Sequence, residues 1–405
     1  MNIKYPLAKE TINNEDIDAL CNWLRSYPRL TKGELTWEVE DKWAQYIGTK
    51  HAVFNNSGSS ANLLMINAAM LANRIKNKKI AVPSVGWVTT IAPAIQFGLT
   101  PIMVGADPDT FGMDLDQLEK VCQTEKPDAV IFVQVLGVPH YKERLLALKE
   151  KYGFCLLEDA CAALGAAYED GSKVGTVGDM SSFSFYFGHQ LSTIEGGMVN
   201  TNDPELYDTL LMLRSHGWGK DLNESSYNAL IQKYDVDDFH KPFTFFIPGF
   251  NLRATDLQAF LGIRQIEKAS WAANNRNKNH IAYAKRLEGH VSFQKWNNDY
   301  PVSISFGALA ENNSHRREIV NRLVSEGVET RIFSAGNLGL HPFWVDLYGV
   351  YNDEVSDNIH SRGFFLPNYP ELWMYLVMVQ LKGCVLMHPS RFLTWLRLSE
   401  MAEWL

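Results

Sequence analysis

The chain has 405 residues, of which 46% are hydrophobic and 21% are charged, and its formal net charge is −8. This composition is typical of a folded globular protein, and the length favours one large domain with a smaller one over a single small core. The negative charge and the absence of a Lys/Arg block argue against a nucleic-acid partner, because phosphate binding needs basic residues.

Targeting and cysteine patterns also restrict the class of protein. The apolar run Leu372 to Val379 is far shorter than the ~20 residues that a membrane-spanning helix needs. The N-terminus reaches Pro6 and then a polar stretch, where a signal peptide would have an apolar core. The five cysteines are scattered without a C-x-x-C pair, which gives no support for a disulfide framework or a zinc site. We therefore expect a cytoplasmic protein without a membrane span.

Short apolar runs alternate with helical patterns in the first half of the chain. The runs predict strands at 51–54, 79–82, 101–104, 129–133, 153–157, 182–186 and 197–200. Helical periodicity fills most of the gaps, for example at 114–122 and 141–152. Strands that alternate with helices predict an α/β fold with a mostly parallel sheet covered on both faces.

The second half has a different pattern. A polar connection with scattered aromatic residues at 221–248 leads to a helix at 255–287, and strands at 291–293, 302–306 and 328–331 surround a helix at 314–325. These elements predict a smaller α+β domain. We place the large domain at 1–250 and the small domain at 251–405. From residue 381 the pattern is that of an amphipathic helix docked on the small domain.

Three stretches that follow predicted strands could carry chemistry, because ligands of open α/β sheets bind at the carboxyl ends of the strands. The turn at 55–64 is rich in Ser and Gly and opens a helix, which fits either a phosphate site or a simple Ser cap. The acidic pair Glu158 and Asp159 is a weak signal when taken alone. His189 lies between glycines and could act as an acid or base, although a lone loop His more often has a structural role.

Taken together, these motifs resemble the DegT-type sugar aminotransferases, which are fold-type I (aspartate aminotransferase-like) pyridoxal-phosphate enzymes. The resemblance extends from about Thr31 to about Asn368. Five separated motifs occur in the family's order: Ser57-Gly58-Ser59-Ser60-Ala61, Pro83-Ser84-Val85-Gly86-Trp87, Glu158-Asp159-Ala160, Ser184-Phe185-Tyr186-Phe187-Gly188-His189 and Pro248-Gly249-Phe250-Asn251-Leu252-Arg253.

The resemblance implies roles for individual residues at the cofactor site. Asp159 would pair with the protonated pyridine nitrogen and keep the ring an electron sink. Trp87 would stack on the ring. Gly58, Ser59 and the Ser184 hydroxyl would bind the phosphate.

The resemblance also implies a homodimer with shared active sites, because Asn251 would reach into the site of the partner subunit. Arg253 and Arg331, like Lys220, could meet the diphosphate of a nucleotide sugar. Each of these basic residues could equally form a surface ion pair.

One departure from the family pattern decides the subclass. Aminotransferases of the family carry the Schiff-base Lys five residues after the phosphate-binding Ser, and here that position is His189. Imidazole cannot form a stable imine with the cofactor aldehyde. A His at this position resembles the 3-dehydratase branch of the family, the ColD-type enzymes that act on GDP-4-keto-6-deoxy-D-mannose in colitose biosynthesis for the O-antigen of lipopolysaccharide. The second His of that branch matches His216.

This branch implies a deoxygenation. L-Glutamate would convert pyridoxal phosphate to pyridoxamine phosphate, whose amine would condense with the 4-keto group of the sugar. His189 would then remove a proton at C4′, and the C3 hydroxyl would leave with a proton from His189 or His216. An imidazole suits both steps, since its unperturbed pKa of ~6.5 lets it act as base and then as acid.

Ala162 departs from the family, which usually has Gln or Glu at this position.

Three alternatives to the ColD-type interpretation remain open. An iron–sulfur 3-dehydrase of the CDP-sugar type would need clustered cysteines. A non-catalytic relative would have lost its lysine, although Asp159, Ser184 and Asn251 are all retained. An aminotransferase would have to hold both cofactor forms without the lysine.

Overall fold

The structure of the protein, a computed structural model, describes residues 3–372. Its larger sheet has the strand order β1-β7-β6-β5-β4-β2-β3. These strands are β1 (His51–Asn55), β2 (Lys79–Pro83), β3 (Thr100–Val104), β4 (Ala129–Val133), β5 (Cys155–Asp159), β6 (Met180–Ser184) and β7 (Gly197–Thr201). Strand β7 runs antiparallel to both neighbours, and the other adjacent pairs are parallel. The predicted mostly parallel sheet is confirmed.

All seven predicted strands of this sheet are present, and β5 and β6 depart most from the predicted bounds. Strand β5 begins and ends two residues later than the predicted 153–157, and β6 begins and ends two residues earlier than the predicted 182–186. As a result Asp159 and Ser184 are the last residues of two adjacent parallel strands. Both side chains therefore lie at the carboxyl edge of the sheet.

Helices cover both faces of the sheet. The helices of this part of the chain are α1 (Asn14–Leu24), α2 (Glu34–Ile47), α3 (Gly58–Leu71), α4 (Val88–Gln96), α5 (Leu115–Thr124), α6 (Lys142–Tyr152), α7 (Pro204–Arg214), α8 (Glu224–Lys233) and α9 (Asp256–Leu287). All of them except α1 and α8 contribute buried residues to the two clusters that pack on the sheet. Neighbouring residues of β4 point to opposite faces, as alternation along a strand requires. Phe132 packs with Trp43 of α2 on one face. Ile131 packs with Leu64 of α3 on the other.

A three-stranded antiparallel sheet with the order β10-β9-β8 follows. The strands of this sheet are β8 (Ser292–Phe293), β9 (Ser305–Leu309) and β10 (Gly363–Pro367). The helices of the same part of the chain are α10 (Asn313–Ser325), α11 (Pro342–Tyr348) and α12 (Glu354–Arg362). The predicted α+β character and the helix at 314–325 are confirmed. The division of the chain at residue 250 stays a prediction, and the predicted helix from residue 381 lies outside the described residues.

Three predictions for the second half were wrong. The segment 328–331 forms no strand; it makes an isolated bridge from Val328 to Tyr5, because the N-terminal segment lies along it. The strand predicted at 302–306 begins three residues later, and the missed third strand is β10, whose edge position tolerates its terminal proline. The connection 221–248 contains α8, which is capped by Asn223.

None of the helices formed by residues 3–372 is long and apolar enough to cross a membrane.

The start of α2 is held by a residue of α9. Gly33 precedes α2 and has no side chain that could cap the helix. The buried Asp256 carboxylate takes this role, accepting hydrogen bonds from the N–H groups of Gly33 at 2.7 Å and Thr36 at 3.1 Å, and from the Thr36 hydroxyl at 2.7 Å. Thr255 and Gln258 form a capping box at the start of α9 itself. The two helix starts are thus fixed to each other.

We expect Asp256→Ala to lower the free energy of unfolding by about 2 kcal/mol or more, because it leaves buried N–H donors unpaired. Thr255→Ala, which removes an ordinary helix cap nearby, should cost about 1 kcal/mol. Thermal unfolding of the cofactor-free protein followed by circular dichroism compares the two. Equal losses of unfolding free energy in the two variants would mean that Asp256 contributes no more than an ordinary helix cap.

Candidate active site

A cavity of about 700 Å³ opens at the carboxyl edge of the large sheet, where it meets the small sheet. Seven of the ten predicted site residues line it: Gly58, Ser59, Trp87, Asp159, Ser184, His189 and Arg331. The other three, His216, Asn251 and Arg253, lie together outside it. Six of the seven lie at or just after the ends of four strands, β1, β2, β5 and β6, which end at the same edge of the sheet. Arg331 comes instead from the segment after the helix at 313–325.

The Ser-rich turn after β1 places a helix N-terminus in the cavity. The turn contains both features considered in the sequence analysis, a Ser cap and groups suited to bind a phosphate, at different residues. The Ser57 hydroxyl caps α3 by accepting from the Ser60 N–H at 3.1 Å. The next two residues, Gly58 and Ser59, are the first of the helix, so their N–H groups have no acceptor within it. Together with the helix dipole, these N–H groups form an anion-binding site.

Gly58 lets this helix start approach the end of β6. A Cβ atom at Gly58 would lie 2.5 Å from the Ser184 Cβ and 2.9 Å from its hydroxyl oxygen. No ordinary side chain fits in that space. The close approach sets the Ser184 hydroxyl beside the helix N-terminus, where hydroxyl and N–H donors converge.

Asp159 is 5% exposed at the end of β5. Its Oδ2 atom accepts hydrogen bonds from the Asn62 amide at 2.9 Å and from the Thr90 hydroxyl at 2.6 Å, and its Oδ1 atom accepts one from the Cys161 N–H at 3.1 Å. The Asn62 oxygen accepts in turn from the Ser182 hydroxyl at 2.6 Å. These donors fix the carboxylate and satisfy its charge in a buried position.

Sequence reasoning missed Asn62 and Thr90. Each is a buried polar residue in a helix whose other buried residues are mostly apolar. A polar residue on the core side of such a helix is the signal that could have identified them, since a buried polar group needs a partner.

Trp87 stands at the position before α4 and is 51% exposed although it lines the cavity. It makes no capping hydrogen bond at the helix start. A large apolar side chain that is half exposed to a cavity leaves a ring face free for a flat ligand. Thr89, in the first turn of α4, accepts from the Ser59 hydroxyl at 3.2 Å and ties the two helix starts together.

His189 lines the cavity in a loop after β6, with its N–H bonded to the Tyr186 carbonyl at 2.9 Å. Its Nδ1 atom is buried and has no hydrogen-bond partner among the described residues. Burial lowers the pKa of this imidazole to about 4, against an upward effect of Asp159 and with a further lowering by Arg276 and Arg331. The ring is therefore neutral near pH 7, with a nitrogen available to a ligand.

Arg331 is the cation on the side of the cavity formed by the small sheet. It lies 5.1 Å from the Phe365 ring centroid, and burial is the main cause that lowers its pKa. Glu329 lines the same wall and accepts the Leu7 N–H at 2.8 Å. The N-terminal segment thus closes this side, and Leu7 lines the cavity together with its neighbours.

Ala162 lines the cavity where the family has a longer polar residue. The buried Gln190 amide donates to the Ala162 carbonyl at 2.5 Å and to the Val302 carbonyl at 2.8 Å. These two hydrogen bonds tie Gln190, the neighbour of His189, to the backbone at Ala162 and at Val302. They also occupy the donor group of the Gln190 amide. The polar group expected in place of Ala162 is not supplied by Gln190.

His216, Asn251 and Arg253 form a separate cluster. The Arg253 guanidinium lies 3.0 Å from the Asn251 side-chain oxygen and 3.4 Å from His216 Nε2. Two antiparallel backbone segments hold them, with the His216 N–H donating to the Phe250 carbonyl at 2.5 Å. Gly217 and Gly249 meet where these segments cross, and a Cβ atom at either would collide with the opposite backbone.

The described cysteines 21, 122, 155 and 161 are free, and residues 3–372 contain no group of three or more His, Cys, Asp or Glu placed to hold a metal ion.

The donors fit a phosphorylated aromatic ligand with a ring nitrogen. The helix N-terminus and the Ser184 hydroxyl suit the phosphate, since a Cβ at Gly58 would fill that space. The Asp159 carboxylate suits a protonated ring nitrogen, and Trp87 suits the ring face. Pyridoxal phosphate carries these three groups.

The sequence matches the DegT/DnrJ/EryC1/StrS aminotransferase family over residues 10–375, and the chain belongs to this family. The resemblance and the fold class predicted from the sequence are confirmed.

Its relatives point to one branch. The chain is 34% identical over 379 residues to a GDP-4-keto-6-deoxy-D-mannose 3-dehydratase of Yersinia pseudotuberculosis, covering 91% of this chain and 94% of that protein. It is 32% identical to the Escherichia coli O55:H7 enzyme of the same name, covering 91% and 96%.

Solved structures agree with this placement. An Escherichia coli GDP-4-keto-6-deoxy-D-mannose-3-dehydratase with bound hydrated pyridoxal phosphate superposes with a TM-score of 0.86 at 28% identity, covering 95% of this chain and 100% of that chain. The protein is a 3-dehydratase-like enzyme that depends on pyridoxal phosphate, as predicted.

We expect Gly58→Ala to weaken pyridoxal phosphate binding by at least about 10-fold, because the new methyl group occupies the space between the helix start and Ser184. The control is Gly86→Ala, also in the cavity wall, whose added Cβ would meet its nearest neighbour at an ordinary 3.5 Å. Titration of cofactor absorbance measures both dissociation constants. An affinity of the Gly58 variant equal to that of the Gly86 variant would contradict the phosphate site.

Proposed function

We propose that the protein removes the C3 hydroxyl of a nucleotide-linked 4-keto-6-deoxy sugar, with GDP-4-keto-6-deoxy-D-mannose as the substrate and L-glutamate as the amino donor. His189 carries this proposal. It occupies the position at which the family's aminotransferases carry lysine, and no lysine is among the described residues that line the cavity. An imidazole can move protons there but cannot hold the cofactor covalently.

The bound cofactor supplies an amine for the 4-keto carbon and a conjugated ring that accepts electrons when a proton is removed beside it. Asp159 keeps a proton on the ring nitrogen, and its own donors Asn62 and Thr90 hold the carboxylate in place. The N–H groups of Gly58 and Ser59 and the Ser184 hydroxyl bind the phosphate. Trp87 covers one face of the ring and excludes water from it.

His189 moves the protons. The neutral imidazole removes a proton from the C4′ atom of the cofactor and then protonates the C3 hydroxyl of the sugar as it leaves. A pKa lowered by burial makes the ring a weaker base but a stronger acid once it is charged. The negative charges of Asp159 and of the bound phosphate oppose this lowering, so the ring can serve in both directions.

Arg331 is the one Lys or Arg among the described residues that line the cavity. We propose that it binds anionic groups of the substrates, either the carboxylate of L-glutamate or the sugar diphosphate. Glu329 beside it suits sugar hydroxyls as an acceptor. A cation for anionic groups and an acceptor for hydroxyl groups would let the same cavity bind L-glutamate first and the nucleotide sugar afterwards.

The cluster of His216, Asn251 and Arg253 supports a homodimer. It lies outside the cavity of its own chain, next to Trp218, whose ring contacts the exposed Phe243 (70%) and Phe245 (54%). Exposed apolar patches of this kind mark protein interfaces. We propose that Asn251, Arg253 and His216 complete the cavity of the partner subunit.

The proposed reaction belongs to the cytoplasmic synthesis of a deoxysugar of the colitose type. The names of two relatives support a nucleotide-sugar reaction in lipopolysaccharide synthesis: the Yersinia pseudotuberculosis 3-dehydratase and a Salmonella typhimurium lipopolysaccharide biosynthesis protein, 31% identical over 369 residues. The CDP-sugar 3-dehydrase type is the alternative, which the choice of nucleotide in the assay distinguishes.

The test is the product mass after incubation of the protein with pyridoxal phosphate, L-glutamate and GDP-4-keto-6-deoxy-D-mannose. We expect the net loss of one oxygen from the sugar. Replacement of an oxygen by an amine would mean transamination. Turnover of the CDP-linked substrate alone would favour the alternative.

His189→Lys tests the proposed acid and base. We expect this variant to form a borohydride-reducible bond to pyridoxal phosphate and to lose dehydration by at least about 100-fold, because lysine traps the aldehyde and no imidazole remains. Mass spectrometry of the reduced protein detects the bond. Dehydration at the wild-type rate would contradict the role of His189.

Co-expression of two inactive chains tests the shared sites. One chain carries His189→Asn and the other Asn251→Ala. In a mixed dimer one site receives both defects and the other receives none, so co-expression should restore about one quarter of the wild-type activity. Two differently tagged chains isolate the mixed dimer. No recovery in that dimer would mean that each chain completes its own site.

A further inference from the structure

Arg276 of α9 is a buried arginine that the proposed reaction does not use. Its side chain is 1% exposed. The guanidinium donates to the carbonyl of Ile304 at 3.1 Å, to the carbonyl of Asn368, and to the carbonyl of His189 at 3.3 Å. One side chain therefore links the long helix, the residues next to the paired ends of β9 and β10, and the loop that carries His189.

This arginine has no ion pair with a carboxylate among the described residues. Its Nε atom is also buried without a partner, and burial lowers its pKa to about 10, with Glu371 acting in the opposite direction. Burying a guanidinium without a paired carboxylate is costly. Packing alone does not explain such a group, because an apolar side chain would fill the space without that cost.

The three carbonyls that Arg276 binds belong to walls of the cavity or to segments beside them. Ile304 lines the cavity, and so does His189. The rest of the His189 loop is held by its own turn, by the contacts of Gln190, and by hydrogen bonds of Ser192 to Thr11 and of Glu195 to Gln258. The Arg276 bond is the one that ties the backbone of His189 itself to the small sheet.

We propose that Arg276 is a positioning residue, which fixes the backbone of His189 relative to the small sheet and so holds the imidazole at the proton-transfer distance. The inference rests on the proposed function of His189. A displacement of about 1 Å in a proton-transferring group can cost roughly 100-fold in rate. The planar guanidinium suits the task because it donates in several fixed directions at once.

The charge of Arg276 has a second effect on the same ring. Together with Arg331 it lowers the His189 pKa, while Asp159 raises it. A fixed positive charge behind the imidazole disfavours its protonated form. It also favours the anionic substrates that the cavity must admit.

The experiment compares Arg276→Lys with Asn368→Ala. Asn368 is the matched control, because its buried amide belongs to the same group of hydrogen bonds, donating to the Arg276 and Ser303 carbonyls without contacting His189. Steady-state kinetics and the thermal midpoint are measured for both variants. The imidazole ¹⁵N signal of His189, assigned by comparison with His189→Asn, is recorded in the cofactor-free protein.

We expect Arg276→Lys to lower kcat by roughly 10- to 100-fold with KM changed by less than about 3-fold, since lysine keeps the charge but cannot reach all three carbonyls. Its His189 signal should shift or broaden. Asn368→Ala should lower the thermal midpoint while kcat stays within about 3-fold of wild type and the His189 signal stays unchanged.

Two outcomes would overturn the inference. One is a wild-type kcat and an unchanged His189 signal in Arg276→Lys. The other is a loss of kcat in Asn368→Ala as large as that in Arg276→Lys, which would assign the effect to general packing. Absence of turnover in the wild-type protein would instead reject the proposed function, and the His189 signals of the two variants would then decide the positioning role.

Discussion

The buried Asp159 carboxylate is the constraint on which the cavity depends. A carboxylate that is withdrawn from water must receive hydrogen bonds, and its side-chain donors here come from two helices that begin at the same edge of the sheet. Asn62 and Thr90 can reach it only if α3 and α4 start close to the end of β5. The same placement directs the α3 N-terminus into the cavity, so one polar network fixes both the acid and the phosphate-binding groups.

The opposite side of the cavity carries charges of both signs. Arg331 and Glu329 line it beside the small sheet, and Asp159 lies at the end of the large sheet. Arg331 and the buried Arg276 lower the pKa of the neutral His189 ring, and Asp159 raises it. The group suited to exchange protons thus responds to fixed charges of both signs, and small changes in ligand charge alter its protonation.

The sequence predicted the large sheet well because its strands are short apolar runs between helical segments. It did not predict the ends of β5 and β6, because β5 ends on the polar pair Glu158 and Asp159, and the aromatic Phe185 and Tyr186 that follow Ser184 extend the apolar pattern beyond the end of β6. The edge strand β10 was missed because its run ends in Pro367, and 328–331 was assigned as a strand although its partner is the N-terminal segment.

The site residues divide in the same way. Those within local motifs could be predicted: Ser184 from the family resemblance, and His189 from its place in a loop between glycines together with that resemblance. Asn62, Thr90 and Arg276 act on residues 97, 69 and 87 positions away in the chain. Such contacts depend on how helices dock, and a single sequence shows only that a polar residue stands on a buried face.

The crossing of Gly217 and Gly249 closes the chain between them into a loop with its ends in contact. The backbone hydrogen bonds next to the crossing hold His216 and Asn251 on adjacent antiparallel segments. These bonds do not depend on the conformation of the chain between the two glycines. Because the entropic cost of closing a loop grows slowly with its length, residues added at its largely exposed stretch 235–238 add little to that cost while the two glycines stay. This segment is therefore where related proteins can diverge in length, and acquire different surfaces, without moving the residues at its base.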